Sequence, residues 1–408
     1  MITELDCRGK GLGAARSVFD RYNALGRGER FTARLDAYGS QLRISLLEAG
    51  VRHRVVRSVD GTWEILIERE LSPAQGTIPG VHHVVADRNG SVWVCQRAAR
   101  VARIDGIERR VAAAADVASA AAHLALDPER GMLFVADSRA DQIIALRAAD
   151  LGVEAKWSAP GAPQLPMVCP EGIVCAVGGA SGMLTIARPR AGSYEVQTVS
   201  VGRTPHKAAL TLDGGHVFVS CAGDGELVKV RLSNGRIVGR CAAGDGPTHL
   251  CTAGSRVYSA NSWDGTLSCM TEDGVRIGQS ASGGWAHALE ITPDRRWAYV
   301  ANYLDDTLAV FDAESLERVA LLETEAYAHG LDISPDGRYV VASGFSSDFV
   351  RVYDAAAHVE LARIEVGRGS SHSAFLPGLA FVACSVSDHV SCIDLVARRE
   401  TERLRIGV

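Results

Sequence analysis

The chain has 408 residues, 22% of them charged and 6% aromatic, with a formal net charge of −5. That length exceeds the usual single-domain range and calls for two domains or one large repeat domain. The mild acidity lacks the basic surplus of a nucleic-acid binder, and 42 glycines against 13 prolines suit an all-β chain with many tight turns.

Residues 1–70 differ in texture from the rest. ITELDCRG reads as a strand, and LGAARSVFDRYNAL carries apolar residues at helical spacing up to a glycine-rich stop. RFTARLDA alternates as a strand, SQLRISLLEAGV is a second amphipathic helix, and HRVVRSVDGTWEILIER is a hairpin turning at Asp-Gly. The order βαβαββ describes a small two-layer α/β domain, with residues 71–80 as a linker. On LDCRG in the first strand, this element order and the closing GTWEILIER, the segment resembles the TusA/SirA type of sulfur-carrier domain. Those carriers place a reactive Cys-Pro at the start of the first helix. Here that place reads KGLGAA, and Cys7 lies inside the strand. The resemblance therefore implies a docking or regulatory module, with a protein partner as its contact, rather than sulfur transfer.

The start, MITELDCRGKGLG, is acidic where a signal peptide needs a basic region. The alanine-rich stretch 110–127 is interrupted by Asp116 and His123 and is too polar to span a bilayer. The expectation is a cytoplasmic protein without membrane contact, its ten cysteines reduced. Cys95, Cys221 and Cys384 fall at strand ends, where a small buried side chain packs well.

From residue 81 to 408 a period of about 40 residues runs through the chain. Units begin near 81, 121, 162, 204, 246, 285, 327 and 369, each supplying four short strands. Four strands repeated radially make a β-propeller, which predicts eight blades. Segments such as YVANYLDDTLAVFDAESLERVA and SPDGRYVVAS resemble the YVTN-type repeat of that fold, which specifies architecture rather than activity. The last unit contains all four of its strands, so the ring is expected to close blade against blade.

Aligning the first strands of the units exposes a register. The residues are His82 or His83, His123, Gln164, His206, His249, His287, His329 and His372. The neighbours of these histidines vary from Pro/Lys to Ser/Ser while the imidazole stays, which points to a shared task beyond repeat inheritance. The first strand of a propeller blade begins at one mouth of the central channel, so the side chains are expected to converge on the axis. Neutral imidazole is the commonest transition-metal ligand, whereas calcium and magnesium demand oxygen. Glu290 and Asp332, three residues beyond their histidines, are expected on the opposite strand face as supporting partners. Trp285 and Tyr327, two residues before theirs, read as inter-blade packing more than as pocket walls.

Histidines around a propeller axis are similar to the copper sites of nitrous-oxide reductase and thiocyanate dehydrogenase. An eight-bladed propeller of YVTN-like repeats is also similar to the d-type haem domain of cytochrome-cd nitrite reductase and its biosynthetic relatives. There, channel histidines from adjacent blades, like His287 and His329 here, serve the haem pocket, and the haem carboxylates imply a basic surround. Arg203, Lys207 and Arg368 are the candidates for that surround. The leading expectation is a metal-dependent oxidoreductase, with copper or iron held by a subset of the eight histidines and acting on a small molecule. The alternatives are a non-enzymatic scaffold for protein partners and a protein that binds or matures a d-type haem.

Overall fold

A computed structural model of the chain describes residues 3–6, 30–35, 52–59, 62–68 and 80–407. It divides into two units, 1–78 and 79–408.

In the first unit, β1 (Thr3–Asp6), β2 (Arg30–Leu35), β3 (Arg52–Val59) and β4 (Thr62–Glu68) form one sheet in the order β1-β2-β4-β3. β1 and β2 are parallel. β3 and β4 form the hairpin expected around Asp60-Gly61. The two expected helices, the KGLGAA stretch and most of the linker lie outside the described residues.

The second unit is an eight-bladed β-propeller. Its eight four-stranded antiparallel sheets run in sequence order through 81–116, 121–158, 163–200, 205–242, 247–281, 286–323, 328–365 and 370–404. Innermost strands touch their neighbours all the way round, including blade 8 against blade 1. Blade 8 holds four strands of its own, so side chains close the ring rather than a borrowed strand. Asp388 accepts hydrogen bonds from the Val81 amide (3.2 Å) and from Gln96 Nε2 (2.8 Å), and Ser371 Oγ donates to the His82 carbonyl (2.7 Å).

The burial pattern explains why the repeat was readable. Second strands such as Met132–Asp137 and Trp297–Asn302 are buried at every residue but the first, because blades pack on both faces. They therefore read as continuous apolar runs. Outermost strands such as Arg110–Asp116 alternate exposed and half-buried residues, as the rim of a sheet should. Cys95, Cys221 and Cys384 are buried in inter-blade cores. A recurring stitch joins blades: Trp93 Nε1 donates to the Ala148 carbonyl at 2.8 Å, Tyr258 OH to Ala313 at 2.7 Å and Tyr299 OH to Ala355 at 2.9 Å. Among the described residues no helix is long and apolar enough to cross a membrane.

Candidate metal centre

Every innermost strand carries one register shift near its start. In blade 6 Ala286 pairs with Asn302 and Ala288 with Ala301, so His287 is the extra residue of a β-bulge. His329 in blade 7 and His82 in blade 1 are extra in the same way. In blades 2, 4, 5 and 8 the extra residue lies at or beside the histidine. A bulge bends its strand and re-aims a side chain. Here it turns imidazoles toward the open edge of the innermost strand, which is the channel wall. In blade 1 it brings two successive residues to the same side: His82 and His83 both reach the channel cluster.

The convergence is close. Ring centroids run from His206 to His249 (5.5 Å), His287 (5.2 Å), His329 (5.1 Å) and His372 (5.6 Å). They continue from His372 to His83 (4.8 Å) and His82 (5.5 Å), and both of these reach His123 at 5.1 Å. All eight histidines thus form one arc. Within it, His82, His123 and His372 from blades 1, 2 and 8 each offer a ligand nitrogen, all within 4.8 Å of one another. Three nitrogens on a tetrahedral ion at ordinary bond length lie about 3.3 Å apart, so small side-chain rotations bring this triad to a metal.

His82 and His123 are 2% and 7% exposed; the other six keep some accessible surface. Burial holds every one below the ordinary histidine range. His83, His206 and His329 are lowered to about 4, chiefly by burial, with Lys207 adding at the first two and Arg97 at the third. The remaining five lie well below 6.5, with burial again first and neighbouring charges second. At neutral pH the arc is therefore a set of neutral imidazoles, the form that binds metal. In His82, His123, His206, His249 and His329 the Nδ1 atom is buried without a hydrogen-bond partner among the described residues. Buried polar atoms are seldom left so, because each costs about 1–3 kcal/mol.

Two rings are already engaged. Arg97 Nη2 donates to His82 Nε2 at 2.8 Å, which places the proton of that neutral ring on Nδ1. A metal taken up through Nε2 displaces this contact. The Leu124 amide donates to His83 Nδ1 at 3.3 Å, leaving the proton on Nε2, so His83 is the less suited ligand as arranged. Arg97 left no sequence signal, since its contact depends on where the end of the second strand of blade 1 meets the channel.

The expected placement of Glu290 and Asp332 on the far strand face is corrected. Lys207 of blade 4 lies 3.6 Å from Glu290 of blade 6, and these non-adjacent blades meet only across the channel. Asp332 Oδ2 accepts from the Ser373 amide (2.8 Å) and hydroxyl (2.7 Å). The bulge at each histidine adds one residue to the count, so a position three further on faces the same way as a position two further on. Burial raises Glu290 against the pull of Lys207, and raises Asp332 to about 7 against the Ser373 hydrogen bonds. Burial alone would lower Lys207, but Cys251, Glu290 and Asp332 carry it upward. The other two basic candidates are tied to carboxylates in exposed positions: Arg203 pairs with Asp224 at 2.7 Å and Arg368 with Asp348 at 3.5 Å. Tyr327 stacks on buried Tyr303, which in turn contacts His287 (5.4 and 5.9 Å), so one aromatic links the channel to the blade interface.

The family described as lactonase, 7-bladed β-propeller, matches residues 190–364, less than half of the chain. Here the ring has eight blades. No curated protein matches the chain in sequence. Among solved structures, the dihydro-heme d1 dehydrogenase NirN in complex with DHE is similar at a TM-score of 0.61 and 16% identity. That likeness covers 79% of this chain and 74% of the other. Hydrazine synthase of Kuenenia stuttgartiensis is similar at 0.55 and 15% identity, over 67% of this chain and 94% of the other. The likeness is one of fold.

Proposed function

We propose that the protein holds a transition metal, copper or iron, in the propeller channel and uses it for redox chemistry on a small molecule. The observation that carries this is a contiguous arc of neutral imidazoles in which the buried Nδ1 atoms of His123, His206, His249 and His329 have no partner among the described residues. Such a donor set costs stability unless something fills it, and nitrogen donors suit these metals. The His82, His123 and His372 triad is the most compact seat, and His206, His249, His287 and His329 form the rest of the arc. A metal there supplies Lewis acidity and electron transfer. The chain supplies neutral ligands and, at Asp332, a carboxyl group raised by burial to about 7 that holds and releases a proton near neutrality, with Glu290, also raised by burial, beside Lys207.

A second reading, binding or maturing a d-type haem, is favoured by the likeness to the dihydro-heme d1 dehydrogenase NirN. The residues suit it less well: Lys207, Arg203 and Arg368, the basic groups that haem carboxylates call for, already face Glu290, Asp224 and Asp348. The decisive experiment is elemental analysis of untagged purified protein together with its visible spectrum. Near-stoichiometric copper or iron, reduced in a His123→Ala/His372→Ala double variant and without a haem band, is the expected result. A haem band supports the second reading. Neither metal nor uptake on reconstitution removes both and leaves a binding scaffold, with the first unit as a second contact for a protein partner.

A further inference from the structure

The arc is open at one place. His123 and His206 are its two ends, from blades 2 and 4, and blade 3 between them carries Gln164 at the corresponding strand position. The innermost strand of blade 3 touches those of both neighbours, so Gln164 lies on the strand between the two ends; it pairs with Val177, and the register shift of this strand follows at Leu165 and Pro166. Its side chain is partly accessible, and its amide makes no hydrogen bond to a described residue. The strand around it is distinctive. It holds Pro163 and Pro166, and it is the one innermost strand among the described residues with a left-handed residue inside it, Leu165 at φ 45°. A leucine there is costly. Strain of that kind persists only where the surroundings impose it.

An amide is chemically unlike the residue it replaces. Imidazole in the eighth position would take a coordination site on copper or iron, whereas a carboxamide is a poor ligand for these metals. It leaves coordination open while offering an NH2 group that donates and a carbonyl oxygen that accepts. A reactive metal site needs such an open position, and a fully ligated one does not.

We propose that Gln164 admits and orients the small ligand of the channel metal, a few-atom inorganic molecule with a polar atom beyond the one that meets the metal. The amide hydrogen-bonds that outer atom while the His123 and His206 ends of the arc flank it. The inference rests on the metal reading above and adds which face of the ring is open.

The test uses the full chain reconstituted with copper(II), with azide as probe and its charge-transfer absorption as readout. Metal content is measured separately, and thermal unfolding confirms that each variant is folded. Gln164→Leu should keep the copper content of the parent and bind azide at least about tenfold more weakly, the loss of one hydrogen bond to a charged ligand. Gln164→His should close the arc, retain copper more firmly and exclude azide. Azide affinity unchanged in both variants, or a parent that holds copper but binds no azide, overturns the role of Gln164. A parent that holds no copper at all removes the metal reading and this one with it.

Discussion

A histidine buried as a neutral ring is a liability in acid. In the unfolded chain each of the eight takes up a proton near pH 6.5, whereas in the fold His83, His206 and His329 resist until about 4. Between those values the unfolded state binds more protons, so stability is complete above about pH 6.5 and falls as the pH drops toward 4. Each of these three histidines contributes about 3 kcal/mol to the loss, a large share of the 5–15 kcal/mol that usually holds a domain together. The metal-free protein should therefore show a urea midpoint that drops steeply from pH 7.5 to 5. Replacing His123, which has no hydrogen-bonded role at Nδ1, by leucine should flatten the slope by about one proton. A midpoint independent of pH across that window would show that the imidazoles are not held neutral. Bound metal stabilises the folded state, so the metal-loaded protein should keep its midpoint to lower pH than the metal-free protein and release the metal only as the fold is lost or the pH nears 4.

At the scale of strands and turns, two regularities do different work: stitches hold blades together, and bulges aim residues. Tyr299 reaches from blade 6 to the Ala355 carbonyl of blade 7, and its hydroxyl also lies 2.7 Å from His358 Nδ1. Tyr299→Phe keeps the ring packing and removes both contacts, so it should lower stability by about 1–2 kcal/mol. The denaturation midpoint reads this, and metal content should not change. No shift would mean that water replaces the hydroxyl at no cost. The strands that carry these stitches were legible because burial on both faces leaves a continuous apolar run in the sequence. The bulges were not legible, since the extra residue of a bulge resembles any other until its partner strand is seen. The register thus located His287 and His329 but put Glu290 and Asp332 on the wrong face. His82 and His83 looked like alternatives, although the bulge admits both. Arg97 could not be found at all, because its contact with His82 joins one strand end to another strand's start.

For the whole ring, eight blades leave one junction that the chain does not cross. Many propellers could close it by lending a strand from one terminus to the sheet of the other; here blade 8 is complete, and the junction depends on packing and a few polar contacts. Asp388 is central to them. Its carboxylate takes the first amide of blade 1 and the Gln96 side chain, and its own φ of 53° is one that aspartate tolerates better than most residues. Asp388→Ala should destabilise the protein by about 2–3 kcal/mol, combining lost hydrogen bonds to a charged group with backbone strain. Asp388→Asn should recover most of it, since an amide oxygen still accepts and asparagine also tolerates that backbone. The same junction joins His82 to His372 across the seam, with Ser371 bonded to the His82 carbonyl. A loosened seam should therefore weaken metal binding by the triad even under conditions where the protein remains folded. Measuring copper affinity alongside the unfolding midpoint separates the cases. Loss of both in Asp388→Ala, with rescue of both in Asp388→Asn, ties the centre to ring closure. Loss of stability with copper affinity intact would place the working site in the arc of blades 4 to 7, away from the seam.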